Sequence, residues 1–180
     1  MTNGSNKAVY AGTFDPVTMG HLSVIEAASR LFDHLVVLLA VNPEKRTLFN
    51  TADRLSMLRS ATKLLGNVSC DITEDYVVEY ARAHGATHLV RGIRDVTDAD
   101  HETTLANANA KLAPEIKTIF VTADPELSRV SSSHLKDMVR EGECISGLCP
   151  PEVEACLVQR LTHHVDEVDE QEGESCPTSK

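Results

Sequence analysis

The chain has 180 residues, of which 42% are hydrophobic and 24% are charged, and its formal net charge is −10. These values are typical of a globular protein of about one domain, and they exclude a wholly disordered or fibrous chain. The acidic balance gives no electrostatic footprint for duplex nucleic acid, although it is compatible with a local basic pocket for a small polyanion. The polar N-terminus, with no apolar signal core and no 18-residue apolar run, predicts a cytoplasmic protein with no membrane partner.

Short apolar segments predict strands, and longer amphipathic segments between them predict helices. The strands are expected over residues 8–11, 35–41, 68–72, 88–91 and 118–121, mostly buried. Helical spacing over residues 21–31 places Leu22, Ile25, Ala28 and Leu31 on one side, and residues 51–65 do the same with Leu55, Leu58, Thr62 and Leu65. Strands that are apolar throughout are typical of a parallel sheet covered on both faces. We therefore predict an α/β fold, a single-domain doubly wound parallel sheet.

The two ends of the chain differ from the domain between them. We predict a flexible N-terminus over residues 1–6, a domain over 7–164 that closes with a helix over 152–164, and an acidic disordered tail over 165–180. Residues 166–180 hold six acidic side chains and one lysine. Five cysteines occur with no C-x-x-C pair and no Cys/His spacing suited to zinc, which indicates structural thiols.

The strongest functional signal follows the first predicted strand, where Gly12-Thr13-Phe14-Asp15-Pro16-Val17-Thr18-Met19-Gly20-His21 leads into a helix. In doubly wound sheets, ligands bind beyond the carboxyl ends of the strands. Glycines permit close approach to the backbone, and a helix that begins near Thr18 directs free N–H groups at the same space. His21 is placed to donate a hydrogen bond to an oxygen that gains charge during a reaction. For His21 alone, a structural role in the first helical turn is the alternative.

Later loops at the same predicted sheet edge carry cations and hydroxyls. Lys45 follows the second strand, Arg91 and Arg94 follow the fourth, and three serines at 131–133 precede a helix. Arginines offer planar forks to phosphate, and the glycine between them permits close backbone approach. Solvated cations, surface ion pairs and a serine N-cap are the structural alternatives.

The first segment resembles the signature of the nucleotidyltransferase superfamily, Gly12-Thr13-Phe14-Asp15-Pro16 followed by Thr18-x-Gly20-His21. Together with Lys45, Arg91-Gly92-Ile93-Arg94 and Ser131-Ser132-Ser133, it makes the chain similar to the bacterial phosphopantetheine adenylyltransferases over residues 7–161. The resemblance implies a Rossmann-like fold and the transfer of AMP from ATP to 4′-phosphopantetheine. The products of that reaction are dephospho-coenzyme A, on the way to coenzyme A, and pyrophosphate.

The resemblance also implies roles for individual residues. Catalytic roles fall to His21, Thr13, Lys45 and Arg94, and acceptor binding to Thr13, Lys45, Val77 and Arg91. The implied ATP-binding residues are Thr13, Phe14, His21, Gly92, Ile93, Arg94, Glu102, Leu127, Ser128, Arg129, Val130, Ser131, Ser132 and Ser133. Mg²⁺ is expected to bridge substrate phosphates with few protein ligands, so no residue is assigned to it. A homo-oligomer, a hexamer by resemblance, is also implied.

Two segments depart from the family pattern. Residues 97–101 lack the aromatic side chains common there, although Glu102 is kept, and Leu127 stands where a tryptophan is common. The spacing of Asp98, Asp100 and Glu102 superficially suggests a calcium-binding loop, but the glycine that should follow is absent, which favours a solvated helix start.

Two alternatives to the proposed reaction remain open. One is a nucleotidyltransferase with another phosphorylated acceptor, such as nicotinamide mononucleotide or a sugar or glycerol phosphate; the other is a nucleotide-binding protein that has lost turnover.

Overall fold

A parallel sheet forms the centre of the fold. Its strands are β1 (Lys7–Gly12), β2 (His34–Ala40), β3 (Val68–Thr73), β4 (His88–Ile93) and β5 (Lys117–Thr122). Within residues 6–94 and 96–169, which the computed structural model describes, these five strands lie in the order β3-β2-β1-β4-β5, and every pairing is parallel. The predicted strand positions and the predicted parallel sheet are confirmed.

Helices connect the strands. They are α1 (Met19–Ser29), α2 (Thr51–Thr62), α3 (Val77–Ala83), α4 (Val96–Leu112), α5 (Ser132–Arg140) and α6 (Pro151–Asp169), with a 3₁₀ turn at Pro125–Leu127. Polar side chains set the beginnings of three of them: Thr18 caps α1, Asn50 caps α2 and Ser131 caps α5, each accepting a backbone N–H three residues later. These caps explain why the helices that border the sheet edge begin where they do.

The core is divided between the two faces of the sheet. Alternate residues of β1 point to opposite faces, with Ala8 and Tyr10 in one buried cluster and Val9 and Ala11 in the other. The first cluster also holds side chains of α1, α2, α5 and α6, and the second holds side chains of α3. Both faces are therefore covered, which confirms the doubly wound α/β fold.

Two sequence-based expectations were wrong in detail, and one helix was not predicted. Leu31 was predicted to lie in the first helix, on one side with Leu22, Ile25 and Ala28, but α1 ends at Ser29 and Leu31 is 59% exposed, whereas the other three are buried. The strands β3 and β5 are less buried than predicted, because they form the two edges of the sheet. The helix α3 was not predicted: it spans only seven residues, and Tyr76 at its N-cap makes no side-chain hydrogen bond to it.

The C-terminal helix is longer than predicted. It was expected to end at residue 164, but α6 continues to Asp169 because no proline or glycine interrupts it there. The rest of the predicted acidic tail, residues 170–180, and residues 1–5 of the predicted flexible N-terminus lie outside the described residues. No helix in the described part of the chain is long and apolar enough to cross a membrane. Cys70, Cys144, Cys149 and Cys156 are free thiols, and Cys176 lies outside the described residues.

The strand order positions the functional residues. The chain winds outward from β1 through β2 to β3, and then returns to place β4 on the other side of β1. Such a reversal leaves a crevice at the carboxyl ends of the two central strands. His21 lies in the first turn of α1, Arg91 lies near the end of β4 and Arg94 directly follows that strand, so the topology brings the histidine and the two arginines to one place.

Candidate active site

The loop between β1 and α1 ends in a capping arrangement built around His21. The hydroxyl of Thr18 accepts the backbone N–H of His21 at 3.3 Å, and the backbone N–H of Thr18 donates to Nδ1 of His21 at 3.1 Å. A glutamate or glutamine commonly makes this return bond, and here an imidazole takes its place. The ring is thereby fixed by the helix terminus that it caps.

These contacts define the protonation state of His21. Since a backbone N–H can only donate, Nδ1 must be the acceptor nitrogen, and the neutral ring carries its proton on Nε2. Burial, and then the positive charge of Arg94, lower the pKa of His21 from 6.5 to about 4. At neutral pH, His21 is therefore an uncharged imidazole with an Nε2–H donor held in one orientation.

The ring of Phe14 packs against this imidazole. Phe14 adopts a left-handed backbone conformation (φ 46°), which is costly for a residue with a side chain, and its ring is buried. The ring packs edge-to-face on Tyr10 at 5.7 Å and on His21 at 5.1 Å between centroids. Phe14 was predicted to bind ATP. Its ring is buried against the imidazole, and the residue also borders the cavity that contains Lys45, so its ATP-binding role stays a prediction.

A cleft of about 290 Å³ opens above β1 and β4. We call it the β1–β4 cleft, and its lining includes His21, Arg91, Gly92, Arg94, Glu102, Val130, Ser131, Ser132 and Ser133. The backbone comes close here: a Cβ on Gly20 would lie 2.9 Å from the carbonyl oxygen of Val130. Glycine at this position therefore lets the start of α1 lie against the segment that precedes α5.

Both arginines of the β1–β4 cleft are paired with carboxylates. Arg91 makes a bidentate contact with Glu102, with Nη2 to Oε1 at 2.7 Å, and its Nη1 donates to the carbonyl of Ala11 at 3.3 Å. Arg94 forks onto Asp98 at 2.6 and 2.9 Å. The hydrogen bonds from Arg94, together with its charge, lower the pKa of Asp98 against the effect of its partial burial. The cleft thus holds two oriented guanidinium groups whose charges are locally balanced.

The second loop meets the first in an adjoining cavity of about 410 Å³. We call it the lysine cavity, and its lining includes Thr13, Asp15, His21, Lys45, Arg46, Ser132, Ser133 and Lys136. The Nζ of Lys45 donates to the hydroxyl of Thr13 at 3.4 Å, so two predicted acceptor-binding residues lie together. His21, Ser132 and Ser133 line both the lysine cavity and the β1–β4 cleft.

Three residues that organise the lysine cavity were missed from the sequence. Asp15 accepts the backbone N–H groups of Leu48 and Phe49 at 2.9 Å each, and it forms a salt bridge with Lys136 at 3.0 Å. Arg54 is only 3% exposed and donates to the carbonyl of Thr13 at 2.9 Å. The only available signals were the spacing of Lys136, four residues after Ser132, and an acid in a turn.

The serine segment has both capping and cavity-lining parts. Ser131 accepts the backbone N–H of His134 at 3.1 Å, so the N-cap alternative holds for that hydroxyl. Ser132 donates to the carbonyl of Pro16 at 2.8 Å, which ties α5 to the first loop. The N-terminus of α5 therefore faces the same space as His21.

The segment before these serines lies further from the cleft. Ser128 donates to Pro125 within the 3₁₀ turn, Leu127 packs on the core and Arg129 is exposed. Among the described residues, Val130 is in the lining of the β1–β4 cleft, while Leu127, Ser128 and Arg129 are not. Ile93 ends β4 between Gly92 and Arg94. The ATP-binding roles of these residues stay predictions.

Val77 borders a third, smaller cavity of about 130 Å³, on the other side of Arg91. We call it the Val77 cavity; its lining is mostly apolar and includes Tyr76, Val77, Leu89, Arg91, Leu105 and Asn109. Arg91 is thus shared between the Val77 cavity and the β1–β4 cleft. The structure brings Val77 and Arg91 together, and it places Thr13 and Lys45 in the lysine cavity, which, among the described residues, shares no lining residue with the Val77 cavity.

Comparisons with known proteins show which family this chain is similar to. The cytidylyltransferase-like family model matches residues 9–138. The phosphopantetheine adenylyltransferase of Carboxydothermus hydrogenoformans is 42% identical over 154 residues, covering 86% of this chain and 95% of that protein. The phosphopantetheine adenylyltransferase of Desulforudis audaxviator is 44% identical over 150 residues, covering 83% of this chain and 92% of that protein.

A solved structure shows the same fold at lower identity. It is a protein from Vibrio parahaemolyticus whose assignment as a nicotinate-nucleotide adenylyltransferase is provisional, with a TM-score of 0.65 and 18% sequence identity. The match covers 86% of this chain and 99% of the Vibrio chain. The likeness supports the Rossmann-like fold and, at this identity, nothing finer.

Proposed function

The chain belongs to the phosphopantetheine adenylyltransferase family, and from this premise we propose how its candidate active site performs the family's reaction. That reaction transfers AMP from ATP to 4′-phosphopantetheine and yields dephospho-coenzyme A and pyrophosphate. An oxygen of the acceptor phosphate forms a bond to the α-phosphorus of ATP, and the bond from that phosphorus to the bridging oxygen breaks. The acceptor phosphate is already anionic at neutral pH, so the protein has to orient two polyanions and stabilise the charge that spreads during transfer.

His21 gives the strongest support for this mechanism. Its uncharged ring has a single available donor, Nε2–H, and it lies where the β1–β4 cleft and the lysine cavity meet. A neutral donor can strengthen its hydrogen bond as an α-phosphate oxygen gains charge, without first attracting the ground-state anion as strongly as a cation does. We therefore assign His21 the role of transition-state stabiliser, with Arg94 beside it.

The β1–β4 cleft is proposed to bind ATP. The N-terminus of α5, with Ser132 and Ser133, lines this cleft, and we assign its free backbone N–H groups and these serines to the ATP phosphates. Arg94 can exchange a bond to Asp98 for a bond to phosphate, since a guanidinium fork suits both oxyanions. Glu102 is assigned to this cleft through its hold on Arg91.

The acceptor, 4′-phosphopantetheine, is proposed to lie across Arg91, with its phosphate on one side of this residue and its arm on the other. Its phosphate would contact Thr13, Lys45 and Arg91, and its arm would enter the Val77 cavity. That cavity is lined by apolar side chains with the amide of Asn109 at its side, which suits a chain of methyl, methylene and amide groups. Arg91 then lies between the arm and the reacting phosphate.

Mg²⁺ is proposed as the ion that bridges the substrate phosphates. The described residues contain no group of three or more metal-ligating side chains, and the carboxylates of the β1–β4 cleft are engaged by arginines. This donor set fits an ion that is held by phosphates and water with few protein ligands. The bound ion would neutralise phosphate charge during the transfer.

A homo-oligomer in the cytoplasm is also proposed, with a hexamer expected from the family. Leu105 and Leu112 lie seven residues apart on one face of α4, and they are 41% and 59% exposed. Exposed apolar side chains on one helix face are typical of association surfaces. Light scattering on the purified protein tests this assembly, and a single 19.6-kDa species at micromolar concentration would contradict it.

A direct assay tests the reaction. The protein is mixed with ATP, Mg²⁺ and 4′-phosphopantetheine, and dephospho-coenzyme A is measured together with pyrophosphate. We expect one pyrophosphate for each dephospho-coenzyme A, and much slower release with nicotinamide mononucleotide or glycerol phosphate as acceptor. If ATP binds but no acceptor releases pyrophosphate, the proposed reaction is wrong and the protein has lost turnover.

A further inference from the structure

Lys136 lies at the centre of α5, on the same helix face as the two serines that the proposed function uses. It follows Ser132 by four residues and Ser133 by three, which places all three side chains on one side of the helix. All three line the lysine cavity. The side chain of Lys136 is only 19% exposed, so this cation is not a solvated surface lysine.

Asp15 holds Lys136 in place. The Nζ of Lys136 donates to Oδ2 of Asp15 at 3.0 Å, and the carboxylate also accepts the N–H groups of Leu48 and Phe49. Burial acts to raise the pKa of Asp15, but these three donors together lower it below its ordinary value. Asp15 is therefore a fixed anion that joins the first loop, the second loop and α5.

Lys136 has more N–H donors than its salt bridge with Asp15 uses. An ammonium group has three N–H donors, and within the described residues Nζ donates one of them to Asp15. Asp15 already receives two backbone N–H groups, so its carboxylate is not dependent on the lysine for its hydrogen bonds. Removing a lysine from water for a salt bridge alone is costly, which favours a further use of its charge.

The charge balance of the lysine cavity points to an anionic ligand. Lys45, Arg46 and Lys136 line it, and Asp15 is the one carboxylate among its described lining residues. A site with this excess of positive charge suits a group that carries about two negative charges, such as a phosphoryl group. The neutral His21 adds a donor at the border of the cavity without adding charge.

We propose that Lys136 is a further substrate-binding residue, which contacts a phosphoryl oxygen in the lysine cavity while Asp15 orients its ammonium group. The inference rests on the proposed function, since that function supplies the phosphorylated ligands. Two sources share this chemistry: the β- and γ-phosphates of ATP, which leave as pyrophosphate, and the phosphate of the acceptor. Separate titrations with the two ligands distinguish them.

The test is calorimetric binding of inorganic pyrophosphate and of 4′-phosphopantetheine, each alone, to wild-type protein and three variants. Lys136→Gln keeps a donor for Asp15 but removes the charge, Lys136→Arg keeps the charge, and Lys111→Gln is the matched control on exposed α4. Lys136→Gln should weaken binding of one of the two ligands by about tenfold to a hundredfold, the usual effect of losing a charged hydrogen bond. Lys136→Arg should retain most of the affinity, and Lys111→Gln should match the wild type.

The outcomes separate the readings. Weaker pyrophosphate binding supports the inference with ATP phosphates as the source, and weaker 4′-phosphopantetheine binding supports it with the acceptor as the source. If Lys136→Gln binds both ligands within twofold of the wild type and only its melting temperature falls, the salt bridge is structural and the inference is wrong. Since no turnover is measured, failure of the proposed reaction would show only in the activity assay.

A second measurement uses the wild-type protein and does not depend on any variant folding. Reductive methylation with and without saturating pyrophosphate or 4′-phosphopantetheine, read by mass spectrometry, reports the access of Lys136. One ligand should protect Lys136 severalfold and leave Lys111 unchanged. Equal labelling of Lys136 in all three samples, at ligand concentrations that calorimetry shows to be saturating, would overturn the proposal.

Discussion

The β1–β4 cleft and the lysine cavity lie on either side of His21, but they handle charge differently. In the β1–β4 cleft, Arg91 and Arg94 are each paired with a carboxylate from α4. In the lysine cavity, three cations are opposed by the single carboxylate of Asp15 among the described lining residues. The paired arginines are held in fixed directions with little net charge, whereas the lysine cavity has an excess of positive charge that attracts anions. The β1–β4 cleft therefore orients anionic ligands, and the lysine cavity attracts them, with His21 between the two.

The largest expected effect comes from His21, which both sides share. His21→Ala removes the donor to the developing oxyanion, and such a loss typically lowers turnover by about a hundred- to a thousandfold. ATP affinity should change much less, because the N-terminus of α5 and Arg94 remain. Single-turnover kinetics and ATP titration measure the two effects, with circular dichroism as the check on folding. A folded variant that keeps more than about a tenth of wild-type turnover would exclude His21 as a stabiliser of this size.

The next-largest effect concerns the β1–β4 cleft, where each arginine is paired with a carboxylate. Arg91→Met leaves Glu102 as an unpaired carboxylate beside two polyanions, and kcat/KM should fall by about thirtyfold or more. Adding Glu102→Gln removes that negative charge and should recover part of the loss. If the double variant is as slow as Arg91→Met alone, the pairing has no influence on the reaction and the contrast between the two sides loses its basis.

A smaller effect is expected from a substitution in the lysine cavity. Lys45→Ala should raise KM for 4′-phosphopantetheine by about tenfold and KM for ATP by less than about threefold, since one charged hydrogen bond to acceptor phosphate is lost. Lys63→Ala, at the exposed C-cap of α2, is the control and should leave both constants unchanged. Equal increases in the two KM values would show that Lys45 does not distinguish acceptor from nucleotide.

The smallest effect is on stability. The pKa of His21 is lowered from 6.5 to about 4 on folding, so between these pH values the unfolded chain binds a proton that the folded chain does not. The free energy of unfolding should therefore fall as the pH decreases, with a contribution from His21 of about 2 kcal/mol between pH 7 and 5. His21→Gln keeps a capping side chain at this position and should lose this part of the pH dependence. Urea denaturation at both pH values measures the free energy of unfolding of each protein. If that free energy changes equally with pH in the wild type and in His21→Gln, the prediction is wrong.

The sequence predicts the parts of this account that depend on local patterns. Apolar segments indicate the strands, and the glycine-rich turn before a capped helix indicates the position of His21. The predicted β1–α1 segment is confirmed as a turn that presents His21 at the sheet edge, because its signal lies within ten consecutive residues.

Contacts between distant segments could not be predicted in this way. Asp15 meets Leu48 and Phe49 across more than thirty residues, and Lys136 across more than a hundred. An arginine in a helix such as Arg54 is usually exposed, and only the fold shows that it braces the carbonyl of Thr13. The pairing of Arg91 with Glu102 likewise depends on how α4 packs beside β4. The sequence indicated Arg91 and Glu102 as site residues but not that they pair, and it gave no functional role to Asp15, Arg54 or Lys136.

The most direct test of the central claim is the protonation state of His21, measured by nitrogen NMR of the imidazole during a pH titration. The account predicts a ring that at pH 7 carries its proton on Nε2, with Nδ1 unprotonated, and that titrates with a pKa of about 4. The His21→Gln protein identifies the signal by its absence. A proton on Nδ1, or a pKa near the ordinary value of 6.5, would contradict the neutral-donor mechanism.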